Sequence, residues 1–155
     1  MRLVARASVV AGCLVASTAC NPPPEPVRTI RPGHMPPGTA QHAGNPDLTL
    51  RVTLDEVSGA ATGFEPGSAE STDLVVGFVR DTTAAVTTTL RLTNRSKRLM
   101  KVDLWVSEDG QRYVYSSSCP IAAGKASFET WEGQLPWVYV SNPRFLGPDA
   151  HGACE

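Results

Sequence analysis

From Asp47 the chain alternates: Leu48, Leu50, Val52 and Leu54 are separated by Thr49, Arg51 and Thr53. A period of two places the leucines and valine on one face of a half-buried strand, whereas a helix would scatter them around its surface. After a loop punctuated by glycine and proline, Val57 to Thr72, the segment Asp73 to Arg80 (DLVVGFVR) is apolar on both faces and reads as a central strand. Thr83 to Thr93 is rich in β-branched residues with Val86, Leu90 and Leu92 on one face. Asn94 to Arg98 is a turn. Met100, Val102, Leu104 and Val106 then alternate with Lys101, Asp103 and Trp105, and Glu108-Asp109-Gly110 supplies a hairpin turn into a partner strand, Arg112 to Ser117. Two more strands are expected at Lys125 to Glu132 and Trp137 to Ser141, followed by a tail from Asn142 to Glu155. Seven short strands with turns at this spacing predict an all-β fold, an antiparallel β-sandwich that is immunoglobulin-like in its layers only. The Cys, Trp and Tyr spacing of a true immunoglobulin domain is absent.

Composition changes the picture upstream of Asp47. Asn21 to Pro46 holds eight of the thirteen prolines and almost no large apolar residue, the composition of a tether. Extended at about 3.1 Å per residue, it would reach roughly 80 Å. Before it, Met1 to Arg6 carries Arg2 and Arg6 and no acid, and Ala7 to Ala19 is thirteen residues without a charge. These are the n-region and h-region of an export signal, too short for the roughly 20 apolar residues of a membrane span.

The end of that segment, Ser17-Thr18-Ala19-Cys20, resembles the lipobox of bacterial lipoproteins, although Ser17 stands where the family usually has an aliphatic residue. Val10-Ala11-Gly12-Cys13 matches by letters but leaves too short an apolar run before it. The resemblance covers the signal alone and implies an acylated Cys20 held in a lipid bilayer of the bacterial cell envelope. Asn21 after Cys20 tilts the expected location to the outer membrane, facing the periplasm or the surface; secretion as a soluble protein is the alternative. The expected organisation is a signal peptide at 1–19, a lipidated cysteine and Pro-rich tether at 20–46, and the sandwich at 47–155.

With Cys13 removed in the signal and Cys20 on lipid, Cys119 and Cys154 remain, the arithmetic of one disulfide in an oxidising compartment. A free reactive Cys119, or a zinc site drawing on His151, explains the same residues with more assumptions. The whole chain has a net charge of −1, and loss of Arg2 and Arg6 makes it more negative. It has no basic field of the kind nucleic-acid binding requires.

Candidate chemistry is sparse. No GxSxG, HExxH, SxxK or phosphate-cradling glycine loop occurs, and a non-enzymatic role without a cofactor is expected. Trp105 points away from the face of Leu104 and Val106, with Tyr113 and Tyr115 on the partner strand beside it. This is either an exposed aromatic surface for a glycan or protein of the envelope, or a second small core covered by the tether or tail. Trp131 and Trp137 are expected in the main core. Arg95, Lys97 and Arg98 form a basic tip, either a solvated guard of a sheet edge or a contact for anionic lipid. His34, Met35 and His42 are an alternative copper-binding set, imidazole and thioether being suitable ligands.

Overall fold

A computed structural model describes residues 27–79 and 87–147. The signal at 1–19, Cys20, the start of the expected Thr83–Thr93 strand, His151 and Cys154 lie outside the described residues.

The strands are β1 (Thr29–Ile30), β2 (Gly38–His42), β3 (Leu48–Leu54), β4 (Ala61–Pro66), β5 (Leu74–Val79), β6 (Thr87–Asn94), β7 (Met100–Ser107), β8 (Tyr113–Ser117), β9 (Ala126–Glu132) and β10 (Trp137–Phe145). They form two five-stranded antiparallel sheets. Sheet A has the order β1-β8-β7-β10-β2 and sheet B the order β4-β3-β5-β6-β9. Between them lies one core. Leu50, Leu74, Val76, Leu90 and Leu92 come from sheet B, and Val102, Leu104, Val138 and Val140 from sheet A. Full burial of each such side chain stabilises the fold by roughly 1.5–3 kcal/mol. The all-β sandwich expected from the alternation is therefore present, with ten strands among the described residues rather than about seven.

The additional strands lie where the apolar signal is weak. Thr29–Ile30 and Gly38–His42, expected in the tether, pair with β8 and β10. The one buried side chain of β2 is Gln41, whose Nε2 donates to the carbonyl of Pro46 at 2.6 Å. An amide in place of an aliphatic residue removes the alternation by which a strand is recognised. At Gly38 a Cβ would overlap the carbonyl oxygen of Val140, so only glycine fits there. The expected loop Val57–Thr72 contains β4, a sheet-edge strand that offers the core little beyond Ala61 and Phe64. β10 continues beyond Ser141 through an irregularity between Ser141 and Arg144, where Asn142 has φ +47°. A bulge tolerates Pro143, which has no amide for the ladder. At the expected hairpin turn, Gly110 adopts φ +73°.

The turn between β6 and β7 is held from inside. Fully buried Asn94 donates from Nδ2 to the carbonyls of Arg98 (2.7 Å) and Ile121 (2.8 Å), and its Oδ1 accepts from the Ser96 amide at 2.9 Å. Its backbone amide bonds Lys125 O at 2.9 Å, and the next amide, that of Arg95, bonds Asp73 O at 2.7 Å. Asn94→Ala removes three side-chain hydrogen bonds from a buried position and is expected to cost about 2–3 kcal/mol. Urea denaturation measures this; a loss below about 0.5 kcal/mol would contradict the role given to Asn94.

Candidate functional site

β1 and β2 occupy opposite edges of sheet A. Four strand spacings of about 4.8 Å separate them, and the seven residues from Arg31 to Pro37 make the connection. The inner face is packed on sheet B, so this segment crosses the outer face as a strap, with one 3-10 turn at Pro32–His34. The side chains beneath it are fixed by register. On β7, β8 and β10 the buried Leu104, Val106, Val138 and Val140 point inward, so Trp105, Tyr113, Tyr115, Trp137 and Tyr139 point outward. Tyr139 donates its hydroxyl to the carbonyl of Pro36 in the strap at 2.7 Å. Tyr113 is only 4% exposed and meets Tyr139 edge-on, ring centroids 6.1 Å apart.

Of the two readings of the outer aromatics, the cover by residues 27–46 is most complete at Tyr113, which is buried, whereas Tyr139, Trp105, Tyr115 and Trp137 are half-buried. The Trp105 and Tyr115 rings meet edge to face at 5.1 Å. The Arg28 guanidinium lies 5.5 Å over Tyr115, and Trp105 Nε1 donates to Ser141 Oγ at 3.2 Å. On the same face, two residues along β7, Asp103 accepts from Arg144 Nη1 at 2.8 Å and from Asn142 Nδ2 at 2.9 Å. The result is an aromatic pair bordered by a carboxylate, an amide and two guanidiniums. An aromatic surface beside fixed polar groups suits a ligand with an apolar C–H face and polar edges, such as a pyranose ring. Asp103 was legible in the alternation that contains Trp105. Asn142 and Arg144 were not, because the sequence Asn-Pro suggests a turn and the bulge that aims both residues at Asp103 has no alternating signature.

Trp131 is partly buried against the core, its Nε1 donating to Ser116 Oγ at 3.0 Å. Trp137, expected in the core, is on the outer face instead, because it lies one position before the inward-pointing Val138. There it packs on His42 with ring centroids 4.5 Å apart. His42 Nδ1 also accepts the Gly44 amide at 3.0 Å, so this member of the expected copper set serves as packing for the strap's landing. His34 is exposed in the 3-10 turn and Met35 is half-buried. Among the described residues, no three His, Cys, Asp or Glu side chains are grouped to hold a metal ion.

Arg95, Lys97 and Arg98 are all exposed on the β6–β7 turn. They line a groove of about 430 Å3 with Arg51, Glu70, Ser71 and Phe145, and the Arg98 guanidinium stacks 4.1 Å over the Phe145 ring. Cys119 follows the fully buried Ser118, and its amide donates to Glu129 Oε1 at 3.2 Å.

No family model matches the chain, and no curated protein or solved structure is significantly similar to it.

Burial, first of all, raises the pKa of Tyr113, Tyr115 and Tyr139 above 10.0; neighbouring Tyr139 and Asp109 add to it for Tyr113, and Asp103 for Tyr115. These are the three tyrosines of the chain. A raised folded-state pKa means the unfolded chain ionises first, so this contribution to stability is complete below pH 10 and is lost as pH rises through the shifted values. Absorbance titration at 295 nm is expected to show phenolate forming at higher pH in the folded protein than in the unfolded chain, with stability falling as it forms. Three ordinary titrations near pH 10 in the folded protein would contradict the covered face.

Proposed function

We propose that this chain is an exported lipoprotein, acylated at Cys20 and anchored in the bacterial envelope, whose sandwich is a non-catalytic binding domain for an envelope glycan. The Trp105 and Tyr115 rings form the platform, and Asp103, Asn142, Arg144 and Arg28 supply the polar contacts. The observation that carries this reading is the half-buried aromatic pair left beside the strap, bordered by Asp103, Asn142 and Arg144, which hydrogen bonds already fix in place. Preorganised groups of this kind lose little freedom when a ligand arrives. The lipobox-like Ser17-Thr18-Ala19-Cys20 supports the anchor, and assigning Cys20 to lipid leaves Cys154 as the partner of Cys119 in an oxidising compartment.

Two measurements test the two halves. For the anchor, the mature protein is expected to partition into detergent with an acyl-bearing N-terminal peptide, and Cys20→Ala to release it into the aqueous phase; an unmodified N-terminus would exclude acylation. For the ligand, soluble peptidoglycan fragments are expected to quench tryptophan fluorescence. Trp105→Ala is expected to weaken binding by about 2 kcal/mol, roughly thirtyfold. Equal binding by Trp105→Ala would refute the platform, and a polypeptide that copurifies through Trp105 would make the ligand a protein.

A further inference from the structure

The strand directions fix where an anchor would lie. β7 runs from Met100 to Ser107, away from the turn that carries Arg95, Lys97 and Arg98. β8 is antiparallel to β7 and β1 is antiparallel to β8, so β1 runs in the same direction as β7. The chain before Thr29 therefore leads back toward the basic turn. Arg28 O accepts the Tyr115 amide at 2.9 Å, which extends the pairing one residue in that direction. Only seven residue steps separate Val27 from Cys20, a maximum of about 25 Å of fully extended chain. The 80 Å leash implied by a tether ending at Pro46 is not available.

We infer that the sandwich stands end-on against the bilayer, with Arg95, Lys97, Arg98 and Lys125 facing anionic phospholipid headgroups. This rests on the acylation of Cys20 proposed above. Lys125 belongs to the same end, because its carbonyl accepts the Asn94 amide, and it is exposed like the three residues of the turn. The Asn94 framework ties the backbone of the β6–β7 turn, so the cations project from a backbone already held by hydrogen bonds. Among the described residues, the acids of this end are Asp55 and Glu56 on the β3–β4 turn, with Glu70 and Asp73 across the groove from Arg95. The Asp55 carboxylate accepts from the Ser58 and Val57 amides, and the Asp73 carboxylate accepts the Val52 amide. These acids belong to sheet B, whereas the chain leads to Cys20 from the β1 edge of sheet A, which tilts the cationic sector toward the membrane. In this posture the Trp105 and Tyr115 platform lies on a lateral face and stays open to a ligand beside the bilayer.

The test separates the posture from the anchor by using the mature chain with Cys20→Ser, which cannot be acylated, at several millimolar lipid. Sedimentation with vesicles of phosphatidylcholine and phosphatidylglycerol at low salt is expected to pull the protein down, with little binding to phosphatidylcholine alone. A cation near an anionic surface contributes roughly fivefold in binding, so R95Q/K97Q/R98Q is expected to lose tenfold or more. Circular dichroism checks that this variant is folded. Equal binding to both vesicle types, no binding to either, or no change in the variant would overturn the inference. In the full-length acylated protein on the same anionic vesicles, amide exchange is expected to slow at 95–98 and 122–125 relative to detergent. Slowing at 108–112 instead would mean that the opposite end faces the lipid.

Discussion

Pairing of Gly38–His42 with Trp137–Ser141 is the interaction on which the rest of sheet A depends. It sets a strand at the edge opposite β1, and the short connection between those edges can then only cross the outer face. That crossing lies over the face where Tyr113 is buried, gives Tyr139 its hydroxyl partner and leaves Trp105 and Tyr115 half-buried beside it. A proline-rich segment is well suited to this: its φ angles are already restricted, and the missing amides need no partners over a face that offers few. Gly38 permits the close approach and Gln41 closes the strand against Pro46.

Pairing of β1 with β8 brings the described strands to within nine residues of Cys20, which bears on how the domain would sit in an envelope under the proposed acylation. A domain on a long leash samples many orientations; a domain fastened at β1 samples few. The basic turn and the edge that leads to Cys20 share one end of the sandwich, and the aromatic platform occupies a side. On the proposed reading, anchor, headgroup contact and ligand platform fall on separate surfaces that can be occupied together.

Legibility in the sequence followed the strength of the hydrophobic alternation. β3 and β7 were readable because each sets aliphatic residues such as Leu50 and Leu104 against the core at every second position, β5 because it is apolar on both faces, and β8 because it returns from the hairpin turn at Glu108-Asp109-Gly110. β2 was hidden because its inward side chain is an amide, and β4 because an edge strand with Gly63 and Pro66 contributes so little to the core. Trp105 and Tyr115 were placed correctly by period and partner strand. Trp137 was misplaced because size was allowed to decide where register should have, since an inward Val138 dictates an outward Trp137. The polar half of the site, Asn142 and Arg144, depends on a bulge, and backbone irregularities of this kind leave no periodic trace.

Amide hydrogen exchange on β2 tests the central claim most directly. If the segment is an integral strand, the ladder amides within 38–42 exchange only with global unfolding, as slowly as those of β10 beside them. Exchange of those amides at the rate of an unstructured peptide, while β10 remains protected through β7, would contradict the strap and return residues 27–46 to the role of a tether.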